Sequence, residues 1–147
     1  MIITETKDID KIKHVLCDPE IYDRIADDGA PALEDFEPIP PCDGVYYLTD
    51  ENNIGIVFFH WKNHITLEGH VQILKAHRND AMEFSKKALQ WAWDNTQAMK
   101  IVVTIPEIYK DVLKFVEKHG FVYEGLSKGS YLKNSVLYSL VYMGLSR

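Results

Sequence analysis

Glu68 and His70 stand two residues apart in a run, Ile65 to Lys75, in which apolar and polar side chains alternate. A period of two sends Ile65, Leu67, Val71 and Ile73 to one face of a strand and Thr66, Glu68, His70 and Gln72 to the other. A carboxylate or an imidazole on such a row can take a proton from an ammonium, directly or through water, and so free an amine for attack. The same row on a half-exposed antiparallel strand would simply meet water, and both readings stay open at this stage. His60 and His64 have an HxxxH spacing, but Lys62-Asn63 puts a turn between them where a helix would be needed to align two ligands. No metal site is therefore expected.

A second group with chemical potential is basic. Lys75, His77, Arg78, Lys86 and Lys87 flank the stretch Arg78-Asn79-Asp80-Ala81-Met82-Glu83. Such cations suit a phosphate-bearing ligand, or equally the solvated face of a helix. Cys17 and Cys42 lie far apart and outside any CxxC pair, so neither a disulfide framework nor a zinc site is signalled.

These residues need elements to hold them. Met1 to Thr6 is a short β-branched run, and Asp8 before Ile12, Val15 and Leu16 predicts a capped amphipathic helix. The segment 27–43 collects Pro31, Pro38, Pro40 and Pro41, with Pro19 just upstream, and the acids Asp27, Asp28, Glu34, Asp35 and Glu37, which predicts an acidic loop with room for one short helix. Gly44–Leu48, Ile54–Trp61 and Ile65–Lys75 then form an antiparallel meander joined by short polar turns. A helix capped by Asp80 follows, with Ala81, Phe84, Ala88, Trp91 and Ala92 at helical spacing, and ends near Asn95. Lys100 to Ile105 is a buried strand, and Thr104 with Glu107 has the spacing of a capping box for a helix that carries Val112, Phe115 and Val116 and stops at Gly120. Phe121–Leu126 and Ser135–Met143 close the chain as two strands around a turn at Lys128-Gly129. The order is β-α-(α)-βββ-α-β-α-ββ, an α/β (α+β) class with a mixed, mainly antiparallel sheet of six to seven strands.

A chain of 147 residues with 46% apolar side chains fits one domain, 1–147. The net charge of -6 opposes non-specific attraction to nucleic acid or an anionic membrane. The beginning is polar from Thr4, and no run approaches the ~20 apolar residues of a spanning helix, so a cytoplasmic protein is expected.

The element order resembles that of the GCN5-related N-acetyltransferase (GNAT) family over nearly the whole chain. Its best local match is Lys114-Phe115-Val116-Glu117-Lys118-His119-Gly120-Phe121 followed by Glu124-Gly125, which is similar to the family's helix, Gly-Phe turn and Glu-Gly strand. The resemblance implies transfer of acetyl from acetyl-CoA to an amine. It implies Glu68 or His70 as base, with Tyr109 supplying a phenol nearby. It further implies that Ile73, Leu74 and Lys75 pair with the pantetheine and that Arg78, Asn79, Asp80, Ala81 and Met82 hold the pyrophosphate at a helix start. In that layout the acids of 27–43 border the acceptor side of the cleft, which implies a cationic acceptor such as a polyamine. Two positions depart from the family's pattern. Glu83 replaces the last small residue of the phosphate loop, and Val116 stands where a general-acid tyrosine is frequent. Short GNAT-like proteins of tailed bacteriophages, some assigned to head assembly, are also similar. They imply the alternative of an inactive interaction or virion protein, and a homodimer through the strands bearing Tyr131, Tyr138 and Tyr142 would be compatible with either.

Overall fold

The computed structural model describes residues 1–147. Asp8 accepts a hydrogen bond from the Asp10 amide and starts helix α1, Ile9–Leu16, after the short strand β1, Ile3–Glu5. The next helix, α2, is Pro19–Ile25, upstream of the proline-rich segment rather than within it. Asp18 caps it through the Glu20 and Ile21 amides, and Pro19 sits in the first turn, where its missing N–H costs nothing. Within 27–43 only a single 3₁₀ turn forms, Leu33–Asp35.

The meander is β2 (Val45–Asp50), β3 (Gly55–Asn63) and β4 (Thr66–Ile73). Helix α3 (Ala81–Asn95) leads to β5 (Lys100–Pro106), α4 (Lys110–Glu117), β6 (Val122–Lys133) and β7 (Val136–Ser146). The seven strands form one sheet in the order β1-β2-β3-β4-β5-β7-β6. Every neighbouring pair is antiparallel except β4 with β5. That parallel pair joins only at Thr66–Glu68 and Lys100–Val102, after which the two strands part. The backbone of β4 beyond Glu68 therefore has a strand on one side and an opening on the other.

Each face of the sheet buries a helical layer. Phe84, Ala88 and Ala92 of α3 meet Phe59, Leu67 and Ile101, while Ile12, Val15 and Ile21 of α1 and α2 meet Tyr47 and Ile56. Each large side chain taken from water contributes about 1.5–3 kcal/mol.

Helix α4 ends as the sequence predicts. Gly120 has φ +93°, its N–H donates to Glu117 O and the Phe121 N–H donates to Val116 O, the paired bonds of a Schellman cap. Three expectations fail. Asp80 makes no side-chain cap, because a 3₁₀ turn, Lys75–Asp80, runs directly into α3. Thr104 and Glu107 form no capping box, since Thr104 donates to Glu68 and Glu107 accepts from the Ser139 amide. The β6–β7 turn is Asn134-Ser135, with φ +51° and +62°, a two-residue connection whose left-handed pair matches the twist of a hairpin. Gly129 lies inside β6, where the register slips between Ser127 and Tyr131.

Candidate active site

The polar row of β4 is partly shielded from water by its neighbours. Strand β3 places His60 opposite Glu68 and Phe58 opposite His70, and β5 places Thr104 just past the point of separation. Glu68 Oε2 lies 2.7 Å from His60 Nε2 and 3.9 Å from His70 Nε2, while Thr104 Oγ1 donates to Glu68 Oε1 at 3.0 Å. The Glu68 side chain is only 13% exposed. The two imidazoles stack with 12° between their planes, and Phe58 stacks on His70.

Burial pushes the Glu68 carboxyl up, but the Thr104 hydrogen bond and the cationic forms of His70, Lys62 and His60 prevail, leaving it below the usual carboxylate value. Burial also pushes His70 below the usual imidazole value, against the pull of Glu68. Its ring keeps 43% of its surface open to water, yet the crowd of neighbouring atoms withholds solvation from the charged form. Glu68 is therefore ionised and the His70 imidazole uncharged at neutral pH. Thr104→Val removes the donor and keeps the shape, so the Glu68 pKa should rise. The Glu68 step of the kcat/KM profile, which lies below the His70 step, should move up by about half a pH unit with the rate above pH 8 nearly unchanged, readable in a pH–rate profile.

Where β4 and β5 part, a cavity of about 640 Å³ opens between the strands, α2, the start of α3 and α4. His70 and Thr104 line one wall. Of the residues expected to hold a phosphate-bearing ligand, Ile73, Arg78, Asn79, Ala81 and Met82 line it; Leu74, Lys75 and Asp80 do not. The Leu74 amide is spent on Ile54 O, so it is not available to a ligand in the opening. Arg78 does not meet Glu83. It pairs with Glu20 at 2.6 Å, and Glu83 pairs instead with Lys87, one turn along α3, at 3.1 Å. The carboxylate that would crowd a phosphate is thus turned along the helix, and the start of α3 has no side-chain cap, although the Ala81 amide already donates to Arg78 O of the preceding 3₁₀ turn.

Tyr109 and Tyr131 line the opposite end. Tyr109 stands at the entrance to α4, with the Arg24 guanidinium 4.8 Å from its ring centroid. Tyr131 was assigned above to a possible subunit edge, yet it is only 9% exposed, and its hydroxyl is buried without a hydrogen-bond partner. Burial raises its pKa far above the ordinary phenol value, and Tyr109, Asp27 and Asp23 add to the shift, so it stays protonated. Val116 lines the cavity as well, so the phenols here come from the residue just before α4 and from β6, not from the position the family pattern names.

None of Asp27, Asp28, Glu34, Asp35 and Glu37 lines the cavity. Asp28 accepts from the Asn134 and Ser135 amides and holds the hairpin tip, and Glu37 pairs with Lys13. Asp27 keeps an electrostatic reach to the site through Tyr131.

No protein family's sequence pattern matches the chain, and no curated protein matches it. Solved structures do. The spermidine N-acetyltransferase of Vibrio cholerae, in complex with CoA and spermine, superposes with a TM-score of 0.76 at 16% identity over 98% of this chain and 95% of that one. A protein provisionally assigned as a phosphinothricin N-acetyltransferase gives 0.70 at 23%, covering 98% of each chain. YncA of Salmonella typhimurium, provisionally an acetyltransferase and solved with acetyl-CoA, gives 0.61 at 18% over 70% of this chain and 65% of that one. These likenesses show that the chain has the fold of the GNAT acetyltransferases.

Proposed function

We propose that the protein transfers an acetyl group from acetyl-CoA to an amine. One observation carries this reading: a half-buried carboxylate, held by Thr104 and flanked by two imidazoles, stands behind the wall that His70 and Thr104 give to the β4–β5 opening, while Arg78 and the first residues of α3 line the same opening. The residues present fit the co-substrate. The open edge of β4 after Glu68 offers backbone groups to the amides of a pantetheine arm, and the start of α3 with Arg78 suits a pyrophosphate.

Glu68, aided by His70 or a water between them, takes the proton of the acceptor ammonium. The amine lone pair then forms the C–N bond as the C–S bond breaks. The acylated nitrogen gives its second proton to His70 or to water, and the leaving thiolate takes a proton from water in the opening, while Tyr131 stays protonated at the far end of the cavity with Tyr109 beside it. The finer reading is a cationic acceptor. It is supported by the spermine bound to the similar V. cholerae enzyme and by the reach of Asp23 and Asp27 to Tyr131.

Calorimetric titration with acetyl-CoA, followed by turnover of a panel of amines, tests the proposal. Arg78→Ala should weaken acetyl-CoA binding by about tenfold, the 1.4 kcal/mol of one charge-assisted hydrogen bond. Glu20→Gln, which frees Arg78 from its carboxylate, should tighten binding by about threefold. No heat at high micromolar protein would overturn the enzyme reading and leave the chain as an assembly scaffold of the kind found among phage head proteins.

A further inference from the structure

Arg24 of α2 reaches across the cleft to α4. One of its terminal nitrogens lies 2.9 and 3.0 Å from the two oxygens of Asp111, and its guanidinium carbon sits 4.8 Å from the centroid of the Tyr109 ring. All three residues line the large cavity. A carboxylate beside an aromatic face is a complete receptor for an ammonium or guanidinium group, because one supplies charge and the other the negative face of a π-system. The protein fills that receptor with a cation of its own.

We propose that Asp111 and Tyr109 form a subsite for a second positive charge of the ligand, remote from the reacting nitrogen, and that Arg24 is an internal stand-in that must swing aside for it. The ligand class is then a di- or polyamine rather than a monoamine. This rests on the proposed acyl transfer only for naming that ligand as the acceptor, since binding at the subsite needs no co-substrate. The exchange is feasible because the latch is weak. Arg24 is partly exposed and Asp111 mostly so, and ion pairs and cation–π contacts of that exposure each hold by no more than about fivefold. The neighbouring charges agree with the assignment. Asp23 and Asp27 lie near Tyr131 at the same end, and removing Arg24 leaves Arg78, already paired with Glu20, as the remaining cation of the lining.

The experiment is titration of spermidine and of butylamine, without CoA, into wild type, Arg24→Gln, Arg24→Ala and Asp111→Asn, with acetyl-CoA titrated separately into each. Both Arg24 variants should bind spermidine about five- to tenfold more tightly than wild type, Asp111→Asn should lose about tenfold, and butylamine should be nearly indifferent to all three. The use of two Arg24 variants and the unchanged acetyl-CoA affinity guard against a folding artefact. Weaker or unchanged spermidine binding in both variants would overturn the subsite, and a gain of glutamate binding by wild type over the variants would show that Arg24 instead receives a carboxylate. Should acetyl-CoA fail to bind while spermidine still follows Arg24, the transferase reading falls and the subsite stands. The reverse pattern fells the subsite alone.

Discussion

Glu68→Gln is expected to lower kcat/KM for an amine acceptor by about 100- to 1,000-fold, the usual contribution of a positioned general base. The amide is nearly isosteric. Its oxygen can still accept from Thr104 and its volume still fills the half-buried position, so folding should survive. What vanishes is the proton acceptor. The pH profile separates this from a structural loss. Glu68 and His70 both have depressed pKa values in the folded protein, so the wild-type rate should stay high at neutral pH and fall only as pH drops below about 6.5, the ordinary imidazole value. In the variant His70 also loses the carboxylate that favours its charged form, so any residual activity should persist to lower pH than in wild type. A wild-type-like rate constant in Glu68→Gln would remove this residue from the mechanism.

The same shifts fix the acid stability of the site. The unfolded chain binds more protons than the folded one at both positions. Stability contributed by His70 is therefore complete above about pH 6.5 and fades as pH falls, and that of Glu68 follows below about pH 4.3. Denaturant midpoints measured from pH 8 to pH 3 should decline through the imidazole range in both proteins, more deeply in Glu68→Gln, whereas the further decline below about pH 4.3 that belongs to Glu68 should appear in wild type alone.

The β4 row was legible because a period-two pattern needs no partner to be seen, and the opening beside it was legible as part of the element order. His60 was set aside as half of an HxxxH pair with His64, and its place beside Glu68 came from cross-strand register, which sets the two opposite each other. Tyr131 was hidden by a turn assigned six residues too early. Glycine advertises left-handed backbone, so Lys128-Gly129 outbid Asn134-Ser135, although asparagine also tolerates that region. With the turn moved, β6 lengthens to Lys133 and Tyr131 pairs with Tyr138 on the buried side. Glu20 was invisible as the partner of Arg78, because a pair 58 residues apart leaves no periodic trace. The α2 start had a local signal, Asp18-Pro19, overlooked in favour of the denser prolines downstream.

Phe84→Ala is expected to destabilise the fold by about 3–5 kcal/mol, the range for removing a fully buried aromatic ring from a core. Phe84 is 0% exposed and sits in the first turn of α3, packed in the cluster that holds Phe59, Leu67 and Ile101. Asp80 provides no side-chain cap there, so this ring is what seats the helix start on the sheet. The loss should therefore be uneven across the molecule. At a temperature where the variant remains folded, acetyl-CoA affinity should fall by about tenfold or more as the first turn of α3 frays, whereas spermidine binding at the α2–α4 end should change little. Phe121→Ala, which removes a buried ring of the same cluster from the far end of α4, serves as the control. It should cost comparable stability in urea denaturation while leaving acetyl-CoA affinity closer to wild type. Equal losses of acetyl-CoA affinity in the two variants would mean that the start of α3 has no special part in holding the anion.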